Sequence, residues 1–357
     1  MNTCKRAVVK LGSSVLTNSD AYGLEIDRNT IYRIASDVAD AVAAGTQVIV
    51  VSSGAVALGV EELGLSQRPD EIAEVQACAS VGQGLLMQLW RSAFGRRSIR
   101  VGQILCTHED LADRFRFLNF RAAIDELLKL GVVPVINEND TLMTDEITVG
   151  DNDRLAAQVA KLTGSDRLLL LTTVDGLLDS EGQLVEVVRA GDTAEGHVEA
   201  ARSAQGRGGM GAKLESARAA AHGGIEVSII NGRRPHVVRD ALTGQTIGTR
   251  VLAANKHLNS RKHWIAYTLR ASGTLTLDQG AVSAVVETGA SLLPVGIRAI
   301  SGDFEAGEAV SLVDHDGVEF ARGLARMSSD ELRTATLEGP AVHRDDLVVL
   351  PEDEVAD

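Results

Sequence analysis

The sequence is short of the residues that would tie it to a metal, an oxidising compartment or a membrane. Its 357 residues include three cysteines, Cys4, Cys78 and Cys106, scattered and odd in number. They make no metal-type spacing and point to a reduced, cytoplasmic setting. No apolar run is long enough to cross a bilayer. A strand-like segment begins at residue 7, so no leader peptide is expected. No repeat recurs at a solenoid period. His108, His197, His222 and His236 stand apart from any plausible Ser or Cys nucleophile, so no hydrolytic triad is expected. Positive charge is scarce in the tail. Residues 273–357 carry 5 Lys and Arg against 17 Asp and Glu, and no lysine, which leaves the remainder of the chain nearly neutral. Such a tail repels polyanions, and any anion site in the main body must be made by local groups.

The composition, 45% hydrophobic and 24% charged, is that of a globular protein with room for two domains. β-Branched apolar runs at residues 7–11, 47–51, 101–106, 132–136, 168–171 and 226–230 alternate with helix-like stretches at 27–44, 71–90, 116–130, 153–162 and 212–222. Asp27 is a start signal for the first helix and Gly45 its stop. Near-continuous apolar strands alternating with helices predict an α/β fold, a mostly parallel sheet sandwiched by helices. The pattern breaks after about Thr249. Short β-like runs at 274–277, 282–286, 309–312 and 320–324 predict a second, smaller β-rich domain. The expected division is a first domain over 1–250, a linker over 251–272 and the β-rich domain over 273–357. The acidic stretch 345–357 is expected to fray at its end. Trp264 and Tyr267, near the junction, read as packing residues.

Polar groups crowd the expected carboxyl end of the fourth strand: Asn137-Glu138-Asn139-Asp140, then Gly150-Asp151-Asn152-Asp153 at a helix start. Open α/β sheets bind ligands at such ends. One acidic residue would cap the helix; the rest exceed what capping requires, and the Asp-x-Asp-x-Asp-Gly spacing of a calcium loop is missing. Lys10 precedes Gly12-Ser13-Ser14, where loop amides could form an anion nest; taken alone, it reads rather as a solvated lysine at a strand end. Ser52-Ser53-Gly54-Ala55 fits either a close backbone approach to a ligand or a helix-capping turn. The loop from Gly206 through Arg207, Gly208, Gly209, Met210, Gly211 and Ala212 to Lys213 precedes a helix that carries Lys213 in its first turn, an arrangement suited to anions. It is not a Walker A loop: Ala212 separates Gly211 from Lys213, and Leu214 stands where a magnesium-binding hydroxyl would be. Gly82-Gln83-Gly84 follows no strand and lacks the third glycine of a dinucleotide fingerprint; it reads as close helix packing. Lysines and glycines for phosphate, with carboxylates and amides for a polar substrate, point to phosphoryl transfer to a small molecule.

Together the motifs Val9-Lys10-Leu11-Gly12-Ser13-Ser14, Ser52-Ser53-Gly54-Ala55, Pro134 to Asp140, Gly150 to Asp153, Leu170-Leu171-Thr172-Thr173 and Gly208 to Lys213 resemble the amino-acid kinase family, in its branch acting on glutamate. The tail is similar to a PUA domain, most clearly over residues 291–297. The resemblance implies ATP-dependent phosphorylation of the L-glutamate side-chain carboxylate, the first step of proline biosynthesis, with proline as feedback inhibitor. By the family pattern Lys10 and Lys213 neutralise the transferred phosphoryl, and Asp153 holds them. Ser53, Asp140, Asn152 and Asn137 bind glutamate. Lys10, Gly12, Ser13, Thr172, Thr173 and the loop from Arg207 to Lys213 meet ATP. Magnesium (Mg2+) is expected through the phosphates rather than through protein ligands. A cytoplasmic homo-oligomer without membrane or RNA partners is expected. Three positions depart from the pattern, all on the nucleotide side: Thr173 for Asp, Leu178 for Tyr and Arg207 for Thr. The alternatives are another amino-acid kinase, acting on acetylglutamate or aspartate, and an RNA-binding regulator, against which the acidic tail argues.

Overall fold

In a computed structural model, which describes residues 4–18, 25–142, 151–189, 210–254, 260–334 and 339–350, the chain forms two compact units that divide between His257 and Leu258. The first is built on eight strands: β1 (Arg6–Leu11), β2 (Gln47–Ser52), β3 (Arg100–Cys106), β4 (Val132–Glu138), β5 (Arg167–Thr172), β6 (Val187–Arg189), β7 (Glu226–Asn231) and β8 (Thr249–Leu252). Their spatial order is β3-β4-β2-β1-β5-β7-β8-β6. The six from β3 to β7 in that order are mutually parallel; β8 runs antiparallel to β7 and parallel to β6. From β1 the chain steps one way to β2 and β4 and the other way to β5 and β7. The carboxyl ends of these strands therefore surround a topological switch point, the place where such sheets open a crevice.

Each expected strand and helix of this unit forms within a few residues of its expected ends. Helices α1 (Arg28–Ala43), α2 (Ala55–Glu62), α3 (Ile72–Gly95), α4 (Arg114–Lys129), α5 (Asp151–Thr163) and α6 (Met210–His222) cover the sheet. Asp27 caps α1 by accepting from the amides of Asn29 and Thr30, and Ile31, Ile34, Ala35 and Val38 recur at helical spacing on its buried side. They meet Val9 and Leu11 of β1, Val48 and Val50 of β2, and Trp90 and Phe94 of α3 in one core. Lys10 points to the opposite face, toward α5. Burial on both faces is why these strands are apolar almost throughout.

Helices α2 and α3 cross at backbone contact. A Cβ built on Gly59 would lie 1.8 Å from the Cys78 carbonyl oxygen, and one on Gly82 would lie 1.8 Å from that of Ala55. Gly82 thus has the packing role expected of it. Gly84 does not share the packing role expected of it: a Cβ there would meet open space.

The second unit is a five-stranded sheet of β9 (Gly273–Leu277), β10 (Ile297–Gly302), β11 (Ala309–Val313), β12 (Glu319–Ala325) and β13 (Val342–Val349), in the order β10-β9-β11-β12-β13. Two sequence expectations are corrected here. The β-like run 282–286 lies inside a helix, α8 (Gln279–Thr288), capped by Asp278. Ala281, Val282 and Val285 share its core-facing side, a three-to-four spacing that a run of five residues is too short to distinguish from a strand. The stretch expected as linker contains α7 (Ser260–Tyr267), which packs on β12 and β13. Arg322 donates to the Ala266 carbonyl at 2.9 Å, and Arg261 pairs with Asp346 at 2.6 Å.

The helix contact gives a direct test. Gly82→Ala and Gly59→Ala each drive a methyl into a carbonyl and should lower stability by about 3 kcal/mol. Gly84→Ala fills open space and should raise it by roughly 0.5–1 kcal/mol through helix propensity alone. Urea denaturation of the three variants checks the ordering; equal effects at positions 82 and 84 would remove the contact from the account.

Candidate active site

Lys10 sits near the end of β1, an ammonium on a strand that is otherwise apolar and buried. Only 3% of the residue is exposed. A charge so placed is costly unless paired, and its partner comes from the first turn of α5: Asp153 Oδ1 lies 2.6 Å from Lys10 Nζ. The other oxygen, Oδ2, accepts from Lys213 Nζ at 2.7 Å, from the first turn of α6. One fully buried carboxylate therefore bridges two ammoniums and leaves the cluster with a net positive charge. Burial pushes the Lys10 ammonium down from its ordinary pKa, Lys213 adds to that, and Asp153 opposes both. Burial alone would push the Asp153 carboxyl up, but the two ammoniums outweigh it and hold it below the usual carboxylate value. Gly12 belongs to the same cluster: a Cβ there would stand 3.3 Å from Lys10 Nζ, crowding the space above the ammonium.

Beside the charges runs a chain of amides. Asn152 Nδ2 donates to Ser53 Oγ at 2.8 Å and to Asn137 Oδ1 at 3.2 Å. Asn137 Nδ2 in turn donates to Gln83 Oε1 on α3 at 2.9 Å. Three carboxyl-end elements thus converge: the turn after β2, the end of β4 and the start of α5. The Ser52–Gly54 turn is fixed from below. Trp90 Nε1 donates to Ser52 Oγ at 3.0 Å, Ser53 N donates to Leu11 O at 3.0 Å, and Gly54 takes φ +112°, a conformation side chains rarely adopt.

Of the residues expected to serve a ligand, Lys10, Asp153 and Lys213 meet directly, as do Ser53, Asn152 and Asn137. Asp140 opens the short turn Asp140–Leu142 just beyond β4. On the other side of β1, Thr172 ends β5, buried beside β7, and its carbonyl accepts from Gly232 N at 2.9 Å. Thr173 follows, half-buried; Ser13 is exposed beside Gly12; Met210, Gly211 and Ala212 form the first turn of α6. Leu178 is 42% exposed. Arg207, Gly208 and Gly209 lie outside the described residues. Gln83, read only as part of Gly82-Gln83-Gly84, joins the amide chain through a partner 54 residues away. His108, from which no chemistry is expected, has Nδ1 3.2 Å from Gln158 Oε1 and Nε2 3.9 Å from the buried Glu138.

Asp153→Asn should leave a buried ammonium and a partly buried one facing each other. Removing one partner of a buried pair costs about 3–5 kcal/mol, to be read by urea denaturation at neutral pH. Because the folded-state pKa of Asp153 is depressed, its contribution is present above the ordinary carboxylate value of about 4 and is lost as pH falls through the lower folded value. The stability gap between wild type and variant should therefore narrow on acidification; a gap that stays constant down to strongly acidic pH would refute the bridge.

Residues 5–231 match the Amino acid kinase family, and residues 273–346 match the PUA domain. A glutamate 5-kinase of Chromobacterium violaceum is 44% identical, the alignment covering 97% of this chain and 98% of that one. One from Chromohalobacter salexigens is 43% identical over 98% and 97% of the two chains, and one from Pseudomonas entomophila 44% over 97% and 98%. Two solved structures of Giardia carbamate kinase align with TM-scores of 0.52 and 0.50 at 18% and 20% identity, each covering 71% of this chain and 100% of its own. At that identity they speak to the fold alone. The chain belongs to the amino acid kinase family, in its glutamate 5-kinase branch with an appended PUA domain.

Proposed function

We propose that this enzyme transfers the γ-phosphoryl group of ATP to the side-chain carboxylate of L-glutamate, forming L-glutamyl 5-phosphate, the opening step of proline biosynthesis. The observation that carries the reading is the Lys10–Asp153–Lys213 bridge set beside the Ser53–Asn152–Asn137 amide chain at the carboxyl edge of the sheet. The glutamate carboxylate is ionised at neutral pH. It attacks the γ-phosphorus, the bond to the β,γ-bridging oxygen breaks, and ADP leaves with that electron pair. No general base is needed, and catalysis rests on positioning and on cations around the phosphoryl oxygens.

The roles follow from the charges. Lys10 and Lys213 stabilise the transferring group from two sides. Asp153 holds both in range of it while offsetting their mutual repulsion. Gly12, Ser13, Thr172, Thr173 and the start of α6 take the nucleotide; Ser53, Asn137, Asp140 and Asn152 take glutamate. Asp153 has both oxygens paired with ammoniums at 2.6 and 2.7 Å, which commits it to holding the lysines. Magnesium would enter with the nucleotide and would neutralise phosphate charge. Another amino-acid acceptor is the alternative, and a substrate panel separates the two.

Lys10→Ala and Lys213→Ala should each lower turnover by about a hundredfold, on the order of 3 kcal/mol of transition-state stabilisation. The assay is ATP-dependent γ-glutamyl hydroxamate formation in the presence of hydroxylamine. Near-normal turnover in either variant would remove that lysine from the mechanism. Proline shares the α-carboxylate and amine of glutamate, and it should inhibit by competing at the same subsite. Glutamate kinetics that do not change at millimolar proline would rule out this regulation.

A further inference from the structure

We propose that Gln83 is a positioning residue that sets the polarity of the glutamate subsite and so equips it to receive a free α-ammonium group. This inference rests on the glutamate kinase reading above. Gln83 lies on α3 and reaches the amide chain through Asn137. Its oxygen, Oε1, accepts from Asn137 Nδ2 at 2.9 Å. That bond orients the Asn137 amide so that its own oxygen faces Asn152. Asn152 Nδ2 then gives its two hydrogens to Asn137 Oδ1 at 3.2 Å and Ser53 Oγ at 2.8 Å. The donors of Asn152 are used up. Its oxygen, Oδ1, is buried and has no hydrogen-bond partner among the described residues.

A buried acceptor without a donor is costly in a resting protein and points to a ligand that brings one. An amide has two donors on one end and an acceptor on the other, so the chain Gln83–Asn137–Asn152 transmits direction. Were residue 83 to present a donor, Asn137 would turn its oxygen toward it and its NH2 toward Asn152. Asn152 would follow, and its oxygen would be consumed by Asn137. The free acceptor exists because the first member of the chain presents oxygen. An ammonium, which has donors and no acceptor, complements that oxygen.

The test compares Gln83→Met, which keeps length without polarity, with Gln83→Glu, which keeps an oxygen acceptor. In the wild type, hydroxamate formation establishes glutamate as the substrate. Gln83→Met should raise KM for glutamate by about tenfold, the effect of one lost hydrogen bond, with KM for ATP unchanged and the protein still fully folded at the assay temperature by thermal melt. Gln83→Glu should keep KM for glutamate within about threefold of wild type. An unchanged glutamate KM in Gln83→Met, a parallel rise in both KM values, or a Gln83→Glu variant as poor as Gln83→Met would each overturn the proposal. A second readout needs no substrate: side-chain amide hydrogen exchange at Asn137 and Asn152, in protein labelled with 15N-asparagine. Exchange should quicken in Gln83→Met and stay as in wild type in Gln83→Glu; identical exchange in all three proteins would sink the relay. A wild type that turned over ATP with some other acceptor would defeat the glutamate reading, while the exchange data would still decide the role of Gln83.

Discussion

A single carboxylate held between two ammoniums joins three pieces of chain that fold as separate elements. Lys10 belongs to β1, Asp153 to the first turn of α5 and Lys213 to the first turn of α6. Two like charges about 5 Å apart repel by roughly 3 kcal/mol at an effective dielectric of 20. Asp153 offsets that repulsion between a buried lysine and a partly buried one. The bridge also does not neutralise the cluster. One positive charge is left over, at the carboxyl edge of a sheet and beside the amino ends of two helices, where backbone dipoles favour anions. The same interaction that joins the three elements leaves a site that favours anions.

Two kinds of polar group lie side by side. The bridge offers ammoniums; Ser53, Asn137 and Asn152 offer a hydroxyl, neutral amides and a buried oxygen acceptor. Under the proposed reading, the side-chain carboxylate of glutamate would face the lysines and its α-ammonium the free oxygen of Asn152.

How far the sequence foretold this depends on how local each cause is. Strands buried on both faces are apolar throughout, so β1, β2, β4, β5 and β7 could be read almost to the residue. Asn137, Asn152 and Asp153 stood out because so many polar groups beside a strand end have no structural need. The run 282–286 misled because five apolar residues suit a strand as well as the covered side of α8. The short strands β6 and β8, at and next to the sheet edge, gave too few residues to show a period. Gln83 lay within a Gly-Gln-Gly that was read for its glycines. Its polar role depends on a partner 54 residues away in the chain, brought to it by packing.

That packing explains why the relay can start on α3 at all. Gly82, next to Gln83, presses against the Ala55 carbonyl, the first residue of α2 and the one after the Ser53–Gly54 turn. Eight residues along the same helix, Trp90 donates to Ser52 at the foot of that turn. Two fixed points tie α3 to the turn that presents Ser53, one a backbone contact with no slack and the other a buried hydrogen bond. Gln83 stands beside the first of them and inherits its precision. A hydrogen-bond chain transmits direction only if its first member cannot turn or drift, because each amide can otherwise flip at the cost of a single bond. In the proposed relay, the bare glycine contact between two helices would hold the helix that carries Gln83, whose oxygen orients the rest.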